Sequence, residues 1–426
     1  MYSMPVYRIL TIMLCRVTFL FSFIIGLDYK LTFVNASKLI ILLVDGFRWD
    51  YIESYHDLQL RGFSRLVDKG ARAEWMVPAF PTNSLPNYKS LETGLYVESH
   101  GVVGNFIYDS KHGDKLEYML SDDAKWWTEK PSFFVTAEKQ GIRTGLYNMG
   151  GCYLEFDGIN VSYCWPYHDS SSFKDSQNEV LDAVRRIHSG KIEIAYILHA
   201  DVDTIGHSFG PGSPQLKQAV KDTDELISSV FQYLDTNHVT DVNIMVVSDH
   251  GMASVNDTNI IDISHVVDMN DIDELLESGS VAQIWPKPGR EMKVYKSLKD
   301  FHEHLRVYNR KDILDRWFFK QHKFIPPIFI MADSDWCIVH PRSGDHKGTR
   351  TIHTFNGNHG FDNSGQDMRG IFLASGPDFK QGYKTSGISI VDVYQLICHV
   401  TGINPMPNNG TWARVEHMLR DHHLEL

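Results

Sequence analysis

Lys38-Leu39-Ile40-Ile41-Leu42-Leu43-Val44-Asp45-Gly46 is the stretch whose reading decides the fold. Its apolar residues run on without polar alternation, so a strand here is buried on both faces, as in a sheet covered by helices on either side. The run stops at Asp45, which delivers a carboxylate to the C-terminal edge of that sheet. The same grammar recurs at Val242-Asn243-Ile244-Met245-Val246-Val247-Ser248, which leads into Asp249-His250-Gly251. A third strand, Ile192 to Leu198, precedes Asp203-Thr204-Ile205-Gly206-His207. An Asp and a His four apart share one face of a helical turn and can reach one metal. Open α/β sheets gather their ligands in the crevice at strand C-termini, so these strands aim Asp45, Asp203, His207, Asp249 and His250 at one place. His359, in Asn358-His359-Gly360-Phe361-Asp362, adds a sixth side chain from a Gly-rich loop.

Each piece alone has a plainer reading. An Asp-Gly pair after a strand is commonly a turn, and a lone His is commonly a surface or hydrogen-bonded one. The functional reading rests on all six occurring in order, each at a strand end or Gly-flanked loop, beside a plausible nucleophile. That nucleophile is Ser84, in Phe80-Pro81-Thr82-Asn83-Ser84-Leu85-Pro86-Asn87. A neutral serine hydroxyl is a poor nucleophile, and no adjacent His supplies a base, whereas coordination to zinc lowers a hydroxyl pKa by several units. Pro86 suits the first turn of a helix from Leu85 to Glu92, whose free amides favour a phosphate. A simple N-cap role for Ser84 fits the same pattern.

The expected fold class is α/β, a largely parallel central sheet flanked by helices, with strands alternating with helices such as Pro214 to Leu234 and Val391 to Thr401. Residues 262 to 335 interrupt that rhythm and read as an insertion carrying Trp285 and a charged helix from Glu291 to Arg306. The 426-residue chain has 43% hydrophobic residues, which suits a globular body, and its net charge of −12 argues against nucleic acid or an anionic membrane surface as partner. Residues 1 to 28, with Arg8 and an apolar stretch broken by Arg16, read as a secretory signal, a signal anchor being the alternative. The expected location is therefore secreted or extracellular, without stable membrane insertion after cleavage. The sequons at Asn35, Asn160, Asn256 and Asn409 suit that compartment. Cys398 falls in the helical run near the C-terminus and reads as a buried thiol, the state of Cys337 is open, and no glycolipid-anchor signal follows.

The motifs Val44-Asp45-Gly46-Phe47-Arg48, Phe80 to Asn87, Thr93-Gly94-Leu95-Tyr96-Val97-Glu98-Ser99-His100-Gly101-Val102-Val103-Gly104-Asn105, Asp203 to His207, Ser248-Asp249-His250-Gly251-Met252 and Asn358 to Asn363 together resemble the ectonucleotide pyrophosphatase/phosphodiesterase family of the alkaline phosphatase superfamily. The resemblance spans roughly Lys38 to Leu419, or a catalytic domain over 38–420. It implies an alkaline-phosphatase-like fold and two zinc ions, one held by Asp203, His207 and His359 and the other by Asp45, Asp249 and His250. Ser84 then bridges toward the metals as nucleophile, Asn105 donates to a phosphoryl oxygen, and Asp203 and His359 border the bound phosphate. A disulfide between Cys152 and Cys164 is implied in the same way.

Within the family, the nearest resemblance is to the choline-specific glycerophosphodiester phosphodiesterase. It is carried by Ser84 as nucleophile, by Asp367 to Lys380, and by Pro407-Asn408-Asn409-Gly410-Thr411-Trp412. Leu85 stands where nucleotide-cleaving relatives place a Phe, and Leu198 stands where the choline enzyme has a Tyr. Tyr88, Tyr163, Trp165 and Tyr167 offer other aromatic faces to a quaternary ammonium. The resulting expectation is a small-molecule phosphodiester or lysophospholipid substrate: a phosphocholine ester, such as glycerophosphocholine or lysophosphatidylcholine, is cleaved to phosphocholine through a phosphoseryl intermediate. A nucleotide pyrophosphatase/phosphodiesterase and a catalytically silent binding ectodomain are the alternatives.

Overall fold

Leu39, Ile41 and Leu43 turn to one side of their strand and Ile40, Leu42 and Val44 to the other, and each side is sealed in its own apolar core. This strand, β1 (Lys38–Val44), lies at the centre of the molecule. The computed structural model describes residues 37–341 and 356–421, apart from 117, 120, 122, 128, 157 and 169–172. The expected signal segment, Cys15 and the Asn35 sequon lie outside these residues.

With β2 (Gly70–Ala73), β3 (Thr144–Met149), β4 (Tyr163–Pro166), β5 (Ile194–His199) and β6 (Val242–Val247), β1 builds an eight-stranded sheet. Past an insertion that carries four further strands, its last members are β11 (Phe372–Ser375) and β12 (Tyr383–Thr385), and the spatial order is β12-β2-β11-β6-β1-β5-β3-β4. β1 runs parallel to both neighbours, with Leu43 opposite Leu198 on one side and Val247 on the other. Asp45 and Asp249 therefore leave the sheet side by side. The expectation of a largely parallel sheet holds for the core strands, and β11 departs from it by running antiparallel to β6 and β2.

Helices cover both faces. On one lie α1 (Arg61–Lys69), α3 (Phe173–His188) and α5 (Pro214–Thr236), joined to the sheet through Phe63, Val180, Leu216 and Ile227. On the other lie α2 (Ser84–Thr93) and α7 (Ile390–Thr401), meeting it through Leu85, Leu91, Val393 and Ile397. Each such side chain, moved from water into the interior, contributes about 2 kcal/mol. All ten residues of α2 are buried, and the charges it carries inward are paired: Lys89 lies 3.6 Å from Glu92, and Ser132 bonds both, at 2.7 Å each. A short helix α4 (Asp201–Phe209) follows β5 directly.

Between β6 and β11 the chain forms a separate four-stranded antiparallel sheet, β7 (Ile272–Leu276), β8 (Val281–Pro286), β9 (Leu305–Asn309) and β10 (Ile328–Ala332), in the order β7-β8-β10-β9. Trp285 is buried within it. The helix expected from Glu291 to Arg306 stops as α6 (Glu291–Leu298). Lys299 is extended, Asp300 takes a left-handed φ of 63°, and the chain turns into β9, so Leu305 and Val307 face the inserted sheet's core in place of a helix face.

Candidate active site

The turn after β1 sets the geometry. Gly46 has φ +68°, its N–H donates to Asp249 Oδ1 at 3.1 Å, and a Cβ there would lie 2.8 Å from Asp203 Cα. Only glycine lets the β1 turn and α4 approach this closely. Asp45, Asp249 and His250 present ligand atoms within 4.8 Å of one another, and so do Asp203, His250 and His359. His250 thus stands between two groups. His207 joins the second from α4, its Nε2 3.4 Å from Asp203 Oδ2, while His359 Nε2 lies 3.4 Å from Asp203 Oδ1.

The three histidines share one device. Each Nδ1 faces a backbone carbonyl: His250 that of Gly251 at 2.9 Å, His207 that of Gly357 at 2.9 Å and His359 that of Thr82 at 2.8 Å. A carbonyl only accepts, so Nδ1 carries the proton and Nε2 presents its lone pair to the cluster. The carboxylates are the complement. Asp45 Oδ1, Asp203 Oδ1 and Asp249 Oδ2 are buried oxygens with no hydrogen-bond donor.

Burial, and then the charges of Asp249 and Asp203, push Asp45 well above the usual carboxylate range. Burial likewise raises Asp203, against the pull of His207. Burial penalises a charged His250 ring, yet Asp249 beside it outweighs that and holds the ring above its ordinary value. His359 is held well below its own by burial and by the neighbouring His250 and His207. Buried oxygens that lack donors, together with three aligned imidazole lone pairs, fit divalent cations. The mixed nitrogen and oxygen donor set suits zinc.

Ser84 opens α2, with Asn83 as the N-cap residue, so it is not the cap itself. It is only 2% exposed, and its Oγ lies 3.2 Å from His250 Nε2. Asn87 ties the preceding loop to the helix, donating to the carbonyls of Pro81 at 3.1 Å and Asn83 at 2.9 Å while accepting from Ala79 N at 2.7 Å. Thr82 joins that loop to the His359 loop, its Oγ1 donating to Phe361 O at 2.9 Å and accepting from Gly360 N at 2.8 Å. Asn105 Oδ1 accepts from Leu85 N at 2.9 Å, which places its amide beside the start of α2. All of Asp45, Ser84, Asn105, Asp203, His207, Asp249, His250 and His359 therefore meet at one end of the sheet.

The aromatic candidates divide. Tyr88 is not a face for substrate: its hydroxyl donates to Asp45 Oδ2, a partnership with no signature in the sequence. Tyr163 and Trp165 pack against the core on the opposite side of the sheet, around Tyr147, because β4 alternates and Cys164 between them points the other way. Leu198 and Leu85 are core residues. Tyr167 shares the Tyr88 face of the sheet and lies edge-on to Tyr118, with ring centroids 6.4 Å apart. Burial and then the charges of Asp45, Tyr167, Asp203 and Asp249 raise the Tyr118 phenol. Cys152 and Cys164 are disulfide-bonded, Cys398 is a buried thiol and Cys337 is a free, partly buried one.

The chain matches the family model for type I phosphodiesterase / nucleotide pyrophosphatase over residues 39–362. It belongs to that family. It is 32% identical over 387 residues to the human bis(5'-adenosyl)-triphosphatase ENPP4, covering 90% of this chain and 82% of the relative. It is 30% identical over 388 residues to human ectonucleotide pyrophosphatase/phosphodiesterase family member 5, covering 90% and 78%. Among solved structures, murine ENPP5, an inactive variant in complex with AMP, superposes with a TM-score of 0.83 at 28% identity, covering 90% of this chain and all of that one. The alkaline-phosphatase-like α/β fold is thereby shared. The narrower likeness expected to the choline-specific glycerophosphodiester phosphodiesterase finds no support in these relatives.

The Gly46 geometry yields a stability test. Gly113 has a comparable φ of +75° with nothing within 4 Å of a Cβ, so Gly113→Ala measures conformational strain alone, about 1 kcal/mol. Gly46→Ala adds the clash with Asp203 and is expected to cost at least about 1 kcal/mol more. Urea unfolding of both variants checks this, and equal losses would refute the crowding.

Proposed function

We propose that this chain is a two-zinc phosphodiester hydrolase that acts on nucleotide diesters and pyrophosphates, with Ser84 as nucleophile. The observation that supports it most directly is the convergence of three histidine Nε2 atoms and three donor-less carboxylate oxygens beside Ser84 Oγ. Asp45, Asp249 and His250 would hold one ion, and Asp203, His207 and His359 the other. When bound, the zinc ions lower the pKa of the serine hydroxyl and neutralise phosphoryl charge.

The chain's own residues supply the rest. Ser84 Oγ bonds to phosphorus as the opposite P–O bond to the leaving group breaks, and the hydroxyl proton is released. Water then cleaves the phosphoseryl bond and returns a proton to Oγ. The Asn105 amide stabilises charge on a non-bridging oxygen, which is worth about 3 kcal/mol for a well-placed donor. The N-terminus of α2, closed by Asn83 and anchored by Asn87, favours the phosphate further.

Two relatives support a nucleotide substrate: one is named a bis(5'-adenosyl)-triphosphatase and the other holds AMP. In this chain, the Tyr118 and Tyr167 rings, on the same face of the sheet as α2, are the aromatic surface on which a base would stack. The phosphocholine reading stands second. It is favoured by Leu85, which offers no ring next to Ser84, while the same tyrosine faces suit a quaternary ammonium. Extracellular action accords with the exposed sequons at Asn160, Asn256 and Asn409 and with the disulfide. Among the described residues, no helix is long and apolar enough to cross a membrane.

Exhaustive chelation of the purified protein is expected to abolish turnover, and added zinc to restore it; full activity after chelation would remove the metals from the mechanism. Ser84→Ala is expected to retain both zinc equivalents while losing at least about a thousandfold in kcat. Activity within tenfold of wild type would exclude the covalent route. A panel comparing a p-nitrophenyl nucleotide ester, bis(5'-adenosyl) triphosphate, p-nitrophenyl phosphocholine and glycerophosphocholine separates the substrate classes. We expect kcat/KM to favour the nucleotides by at least about tenfold, and the reverse ratio would establish the phosphocholine reading.

A further inference from the structure

The turn from β7 to β8, residues 277–280, projects from the inserted sheet onto the loops that carry the site. Glu277 Oε1 accepts from two successive backbone amides, Asn105 N at 2.7 Å and Phe106 N at 3.1 Å. A Cβ on Gly279 would lie 2.5 Å from Asn358 Nδ2, and a Cβ on Gly360 would lie 2.1 Å from Ser280 Oγ and 2.5 Å from Asn83 Oδ1. One turn therefore abuts the neighbours of Asn105, Ser84 and His359. The contact is close on the other side as well: a Cβ on Gly104 would fall 2.7 Å from Glu277 Oε1 and 2.4 Å from Gln283 Nε2.

Glu277 is itself held. It takes a left-handed φ of 63°, and its carbonyl accepts from His340 Nε2 at 2.7 Å. Its carboxyl is pushed up to about 7 by burial, although the Phe106 and Asn105 amides pull it down. A carboxyl placed against this cost in a turn 172 and 171 residues from its two partners does not fill space; it accepts the amides of one particular loop. Asn105 is then fixed at both ends, its backbone by Glu277 and its side-chain oxygen by Leu85 N at 2.9 Å, which leaves the NH2 group as the donor of that side chain.

We propose that Glu277 is a positioning residue: its carboxylate, reaching across from the inserted sheet, sets the Asn105 loop so that the Asn105 amide meets the phosphoryl oxygen. This rests on the donor role proposed for Asn105. The test is a double-mutant cycle on the holoenzyme, using the p-nitrophenyl ester that the substrate panel ranks first. Asn105→Ala is expected to lose about a hundredfold in kcat. Glu277→Ala is expected to lose about tenfold in kcat, with KM within about twofold and zinc content unchanged. Glu277→Gln, whose amide oxygen accepts the same two N–H groups, should recover most of that loss. In the Asn105→Ala background, Glu277→Ala should cost no more than about threefold, because the group it positions is already gone. A full tenfold cost in that background would overturn the positioning role while leaving Asn105 as the donor. Wild-type turnover by Asn105→Ala would instead overturn the donor role, and the inference with it.

Discussion

Like charges brought together out of water are the constraint on which the rest of this structure depends. Asp45 and Asp249 leave adjacent parallel strands in register, with ligand atoms less than 4.8 Å apart, and Asp203 approaches from α4. At such separations two carboxylates repel by on the order of 4 kcal/mol under a surface-like dielectric, and more if buried deeper. Among the described residues, the ion-pair partners of these three carboxylates are histidines. Proton uptake, to which the raised Asp45 and Asp203 are already pushed, is one remedy, and cations at the donor-less oxygens are the other. Under the proposed two-metal reading, cation binding relieves this repulsion and is thereby coupled to the folding of this end of the sheet.

That coupling accounts for how the loops are built. A histidine ligand is useful only if the correct nitrogen faces inward, and here three carbonyls from Thr82, Gly251 and Gly357 make that choice. Thr82 and Asn87 belong to the stretch that carries Ser84, so the segment that places this serine also places His359. Displacing that loop moves both. The buried Lys89 and Glu92 on the same helix extend the argument inward, since removing either would leave the other charged in the core.

The strand frame and the six Asp and His residues were legible because both rest on local rules: an unbroken apolar run means two covered faces, and an acid at its end means a crevice. Ser84 was legible for the same reason, through Pro86 and the helix start. What escaped is non-local. Nothing near Tyr88 announces a bond to Asp45, 43 positions away, and nothing near Glu277 announces Asn105. Tyr163 and Trp165 were candidates for the substrate side because aromatic content carries no direction until the face of the strand is known. The over-long helix from Glu291 failed where periodicity continues past a point that the backbone reverses, at Asp300. The mixed character of the sheet arises from β11, too short a strand to reveal its direction.

The two halves of the cluster differ in access, and this orients the reaction. Asp45, Asp249 and His250 have side chains at most 2% exposed, whereas those of Asp203 and His207 reach 15% and 22%. Ser84 belongs with the closed half, beside His250, and Asn105 borders it. Under the proposed mechanism, substrate approach is from the more exposed Asp203 and His207 side, on α4. The alcohol would then depart, and the water that cleaves the phosphoseryl bond would arrive, on that same side, as a two-step displacement with serine on one face of phosphorus requires.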